Sequence, residues 1–106
     1  MTASQMQYSG PANDKSASAS GSSAIVLAAN TNRRYLFIQN ASAVDIGINL
    51  TGGVSSIGAA GTIVLATDPA GGSAGSAYEN PPHFCPTGAI TAKTASGSGQ
   101  LVILEA

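Results

Sequence analysis

Charge is scarce in this sequence. Four cations (Lys15, Arg33, Arg34, Lys93) stand against five anions (Asp14, Asp45, Asp68, Glu79, Glu105), a formal net charge of -1 over 106 residues. Too few cations are present to coat a phosphate backbone, so the composition excludes an ordinary nucleic-acid binder. The single cysteine excludes an internal disulfide framework and any multi-cysteine metal cluster. Tryptophan is absent and tyrosine occurs three times, which does not define a sugar-stacking platform. No window approaches 18 apolar residues, so no membrane span is expected. Met1–Tyr8 lacks a cationic stretch followed by an apolar run, so no secretory signal is visible. The glycine-rich phosphate motifs and the EF-hand loop are also missing.

Large apolar side chains are few. Hydrophobic residues make up 43% of the chain, but Leu, Ile, Val and Phe number only 21, and much of the rest is Ala. Such scarcity signals disorder only when joined to a high net charge, which is absent here. The length allows one domain with a thin core. A core of this size is marginal by itself, and partner contacts are a source of added stability.

The large apolar residues that exist fall in short blocks separated by Gly, Pro, Asn and Ser. Residues 1–23 read as a flexible N-terminal arm, because Ser9–Ser23 holds no large apolar side chain to bury in return for being ordered. Residues 24–106 read as a single β domain. Strands are expected at Ala24–Ala28, Arg33–Asn40, Val44–Leu50, Thr62–Thr67, Ala77–Asn80, Gly88–Ala95 and Gln100–Glu105, with a weaker one at Val54–Ile57. The cleanest alternation is Val44, Ile46, Ile48 and Leu50 against Asp45, Gly47 and Asn49. Ala41–Ala43 looks like a hairpin connection that makes the flanking strands antiparallel neighbours. In the last run both faces are apolar, as in a central strand. The expected core is Leu36, Ile38, Val44, Ile46, Ile48, Val64, Leu65, Ile90, Leu101 and Ile103. No amphipathic helix is legible. The fold class is all-β, a small antiparallel sandwich or barrel of six to eight short strands, jelly-roll or immunoglobulin-like.

Residues able to carry chemistry are sparse. His83 and Cys85 share a face of an extended chain, but at two strand rises their Cβ atoms stand roughly 6–7 Å apart, with no acidic residue nearby to orient the imidazole. One His and one Cys do not make a zinc site within one protomer. Asp45, Asp68 and Glu79 fall near strands and turns, where single acids keep a surface wet. No catalytic, cofactor-binding or metal-binding set is assigned, and no cofactor is expected. Arg33 and Arg34 lie on opposite faces at a strand entrance, where one can pair with an acid across the sheet or across a subunit boundary. With Tyr8, Tyr35, Tyr78 and Glu79 they form the candidate interface set, since aromatics supply large contact area. Asn40-Ala-Ser42 and Asn49-Leu-Thr51 fit the N-glycosylation sequon.

The run Asn32-Arg-Arg-Tyr-Leu-Phe-Ile-Gln-Asn40, then Ser42 and the alternating Val44–Leu50 strand, resembles small β-rich virion proteins of tailed bacteriophages, capsid decoration (cement) and head-associated proteins. The similarity continues through Pro86-Thr-Gly-Ala-Ile90, the Ser96–Gly99 turn and Val102–Glu105, and covers about Ala24 to Glu105. The resemblance implies a non-enzymatic structural protein on the capsid exterior, assembled in the host cytoplasm. It also implies the major capsid protein as partner and a homo-oligomer, a trimer by the local symmetry of many decorated shells. Nucleic acid and membrane are not expected partners. The alternatives are a head-fibre or tail-associated component, or a carbohydrate-binding adhesin module, which would show a concave aromatic or carboxylate-rich patch.

Overall fold

The computed structural model describes residues 10–106, and among them there is no helix. Nine short strands are present: β1 (Asn13–Asp14), β2 (Ala17–Ala19), β3 (Ala24–Leu27), β4 (Leu36–Asn40), β5 (Ile46–Asn49), β6 (Thr62–Leu65), β7 (Ala77–Glu79), β8 (Ile90–Thr94) and β9 (Gly99–Glu105). They form two antiparallel sheets. The first runs β1-β9-β4-β7, with β2 also on β9; the second runs β3-β8-β5-β6. Asn13 faces Glu105 and Ala17 faces Leu101, so β1 and β2 keep one register along β9 and act as one edge strand. Counted that way, eight strands alternate between the sheets at every step except β5 to β6. That is the order of a jelly roll.

The core lies between the sheets. Leu36, Ile38, Leu101 and Ile103 enter it from one side, and Ile46, Ile48, Leu65, Ile90, Ala92 and Leu27 from the other. These positions follow the period-two rule, because cross-strand partners such as Ile38 with Ile103 and Ile48 with Ala92 share a face. β9 and β4 are the inner strands of their sheet, consistent with the apolar residues on both faces of β9. Two expected core positions differ. Val64 points away from the core at 41% exposure, the unavoidable consequence of its neighbour Leu65 pointing in, and Val44 is only half-buried.

The expected hairpin at Ala41–Ala43 is not formed. β4 and β5 belong to different sheets, and the tripeptide is an arch across the sandwich. Asn40 builds it. Its Oδ1 accepts from the Ser42 amide (3.0 Å) and hydroxyl (2.7 Å), while its Nδ2 donates to the carbonyls of Val44 (2.7 Å) and Leu65 (2.8 Å). A side chain that mimics a backbone turn redirects the chain here. Gly75 then passes so close to the carbonyls of Ala66 and Asn40 that a Cβ would stand 2.5 and 2.7 Å from them.

Two further expectations are corrected. Asn13–Ala19, assigned to the flexible arm, lies along β9, with the Lys15 amide donating to the Ile103 carbonyl at 2.7 Å. Small Ser and Ala side chains supply little burial, but the main chain satisfies the edge of β9. Residues 1–9 of that arm, Tyr8 included, lie outside the described residues. Val54–Ile57 is no strand. It belongs to the β5–β6 connection, which folds over the outer face of the second sheet, with the Ser55 hydroxyl donating to the Gly47 carbonyl and the Thr91 hydroxyl to that of Gly53.

Candidate functional site

The strongest polar cluster sits at one end of the sandwich. Arg33 is 3% exposed. Its Nε donates to Glu105 Oε1 at 2.7 Å, an ion pair between buried groups. Nη1 donates to the carbonyls of Pro86 (2.7 Å) and Gly88 (3.2 Å), and Nη2 to that of Ala28 (2.7 Å). The planar fork thus ties the exit of β3, the entry of β8 and the end of β9 to the start of β4. Its donors are spent on holding chain segments together, so Arg33 leaves the candidate interface set.

The remaining members of that set separate. Tyr35 donates its hydroxyl to Glu79 Oε2 at 2.8 Å, so these two do come together, at the outer side of the β4–β7 pair. Burial first, and then Glu79, push the Tyr35 hydroxyl pKa up. Tyr78 lies opposite Ile38, half-buried against the core, and Arg34 is exposed. His83 is exposed in the Pro81–Pro86 loop beside Phe84, whereas Cys85 is half-buried. Burial pushes the Cys85 thiol up; Arg33 pulls it back and Glu105 reinforces the rise. A thiol so placed is a poor nucleophile at neutral pH.

The carboxylates serve separate turns. Asp45 accepts from the Thr67 amide, and Asp68 from the Ala70 amide, both at 2.9 Å. Among the described residues no three His, Cys, Asp or Glu side chains gather around a point. The two sequons are also turns. Asn40 and Asn49 are buried, and Asn49 Oδ1 accepts from the Thr51 amide at 2.8 Å while Nδ2 donates to the Val54 carbonyl at 3.2 Å. Both amide nitrogens are committed to main-chain carbonyls, so neither is presented for modification.

No reactive side chain in the sequence marks the remaining candidate region, which is defined by lack of charge. Between Asp45 and Asp68 lie 22 residues without a charged side chain. They comprise β5, the connection that follows and β6. Four of the six exposed large hydrophobic residues are among them: Val54 (76%), Ile57, Ile63 and Val64. The connection is anchored across the sheet rather than loose. Thr91 Oγ1 donates to the Gly53 carbonyl (2.7 Å), the Ser55 amide donates to Ser23 Oγ (2.9 Å), and Ser55 Oγ donates to the Gly47 carbonyl (2.8 Å). Gly47 leaves the room beneath it: a Cβ there would stand 2.7 Å from the Thr62 methyl and 3.0 Å from Ile57. The fifth exposed aliphatic, Ile25 (65%), lies opposite Thr91 on the same outer face, where Lys93, opposite Gly47, is the one charged side chain on the strands between it and Val64. The signal that could have found this surface is the spacing of Asp45 and Asp68. Comparison of the chain with family models, with curated proteins and with solved structures finds no match.

Proposed function

We propose that this protein is a non-enzymatic structural component of a phage virion, a decoration or cement protein that binds the outside of the major capsid shell. The observation that carries the reading is the anchored, largely apolar outer face of the second sheet, where Val54, Ile57, Val64 and Ile25 are exposed and Lys93 is the one charged strand residue. A surface of aliphatic tips on small-residue backbone fits a broad protein contact, with few long side chains to order on binding. It does not fit a polar substrate, and the charged side chains that would serve one are spread over separate turns and the Arg33 cluster. Jelly rolls serve viral shells and lectins alike, so the fold by itself is an analogy. The choice of a capsid as partner rests on the resemblance of the Asn32–Asn40, Pro86–Ile90 and Val102–Glu105 segments.

The test mixes purified protein with undecorated heads of the matching phage. Saturable binding at a fixed copy number per capsid subunit, with raised resistance of the heads to heat, is expected. Absence of binding to heads, with saturable attachment to tails or to a cell-surface glycan, would overturn the reading in favour of a tail component or an adhesin.

A further inference from the structure

Each sheet of a sandwich ends in two edge strands, whose unpaired N–H and C=O groups invite another chain unless something blocks them. Three of the four edges here are blocked. The β1–β2 edge carries Asp14 and Lys15, and Asp14 Oδ1 takes up the Ser16 amide at 2.9 Å. The β7 edge is three residues long, bears Glu79 and is followed by Pro81 and Pro82. The β3 edge shifts register between Ile25 and Leu27, an irregularity that spoils flat pairing. β6, Thr-Ile-Val-Leu, has no charge, proline or register shift, and its Ile63 and Val64 are exposed. Its ends are partly occupied, the Thr62 amide by the Ala59 carbonyl (3.3 Å) and the Ala66 carbonyl by the Ser76 amide (2.9 Å), which leaves Val64 as the open centre of the edge.

The ladder decides which groups of β6 are open. The Ala95 amide donates to the Asp45 carbonyl at 2.9 Å. Antiparallel ladders alternate, so Asp45, Gly47 and Asn49 turn their main-chain groups toward β8, and Ile46 and Ile48 turn theirs toward β6. Ile46 faces Leu65 and Ile48 faces Ile63. Both polar groups of Val64 therefore point away from β5, into the open edge.

We propose that β6 is a self-association edge, at which a second copy of this chain pairs antiparallel about a two-fold axis through Val64. The observation that selects a second copy is self-complementarity. In that register each Val64 N–H donates to the other Val64 carbonyl, the Val64 side chains lie on the same outer face, and Ile63 and Leu65 of each copy meet on the inner face. No like charges meet across the axis, because β6 carries none and the charged residue in the Val64 row, Lys93, stands two strands in from the edge. The result is one continuous eight-stranded sheet made from two copies of β3-β8-β5-β6. This contact is isologous and closes as a dimer. It differs from the trimer that the phage resemblance implies, and it does not depend on any capsid.

Sedimentation of the purified full chain over a concentration series, with amide exchange in parallel, tests the proposal. A monomer–dimer equilibrium is expected, with the Val64 amide exchanging fast when dilute and slowly when concentrated. Val64→Lys sets two like charges opposite each other across the axis and should weaken association by about tenfold or more. Ile25→Lys, on the blocked β3 edge, should leave the dimer unchanged. Circular dichroism checks that both variants keep the β fold; should Val64→Lys lose it, Val64→Thr with the amide-exchange readout takes its place, and should Ile25→Lys lose it, Ile25→Thr does. A monomer throughout, a trimer, a dimer indifferent to the Val64 change, or a dimer weakened equally by the Ile25 change overturns it.

Discussion

At the Arg33 end, the sandwich buries an ion pair and three main-chain carbonyls around one guanidinium. The segment of residues 46–67 has no charged side chain at all, and several of its aliphatic ones stand in water. The first region takes its few charges out of solvent to lock chain segments that are far apart in sequence. The second keeps its chain in place with uncharged hydrogen bonds beneath and leaves an apolar exterior. Changes at the Arg33 end should therefore act on stability, and changes on the apolar surface on association.

The largest expected effect is Arg33→Ala. Removing one partner leaves Glu105 as an uncompensated buried charge and three carbonyls without their donor, a loss of about 3–5 kcal/mol. Urea unfolding followed by circular dichroism measures it. Replacing both partners, Arg33→Met with Glu105→Leu, should recover part of the loss, because the stranded charge is gone while the carbonyls still lack a donor. A double variant less stable than the single one would contradict this division. Ile46→Ala tests the core between the two regions. The side chain is fully buried, so about 2–5 kcal/mol should be lost, and a loss below about 0.5 kcal/mol would place it outside the core.

A smaller effect concerns pH. Burial raises the Cys85 thiol above its ordinary value of 9.0, and the Tyr35 and Tyr78 hydroxyls above 10.0. The unfolded chain then releases these protons first as pH rises, so it binds fewer protons than the native state and stability falls with pH. The contribution is fully present below pH 9 and declines from there upward. Melting temperatures that stay level from pH 8 to well above 10 would contradict it. The smallest effect on stability is expected for Val54→Ser. The side chain is mostly exposed, and unfolding should shift by no more than about 0.5 kcal/mol. Binding to heads, by contrast, should weaken measurably.

Much of the fold was legible because β4, β5, β8 and β9 carry large apolar residues at period two, and Gly, Pro and Asn mark their ends. The arch at residues 41–43 was not, since Ala-Ser-Ala serves a hairpin and an arch equally. What decides between them is the bond from Asn40 to the Leu65 carbonyl, 25 residues on. The sequons were misleading for the same reason. Asn-x-Ser/Thr is both a glycosylation signal and a good Asx turn, and only burial separates the two uses. The strand at Asn13–Ala19 escaped because it is held by main chain rather than by apolar side chains. At the candidate site, an acidic partner for one of the two arginines was foreseeable; that it is Glu105 buried beside Arg33, 72 residues away, was not. The apolar surface was not legible because it has no reactive side chain to mark it in the sequence.

In the proposed function, the apolar outer face of the second sheet is the one that meets protein partners. Hydrogen exchange on the protein bound to phage heads, compared with the free protein, tests it most directly. New protection is expected to concentrate in residues 51–66, with the β4–β7 side around Tyr35 and Glu79 exchanging as before. New protection confined to that side, with residues 51–66 unchanged, would contradict it.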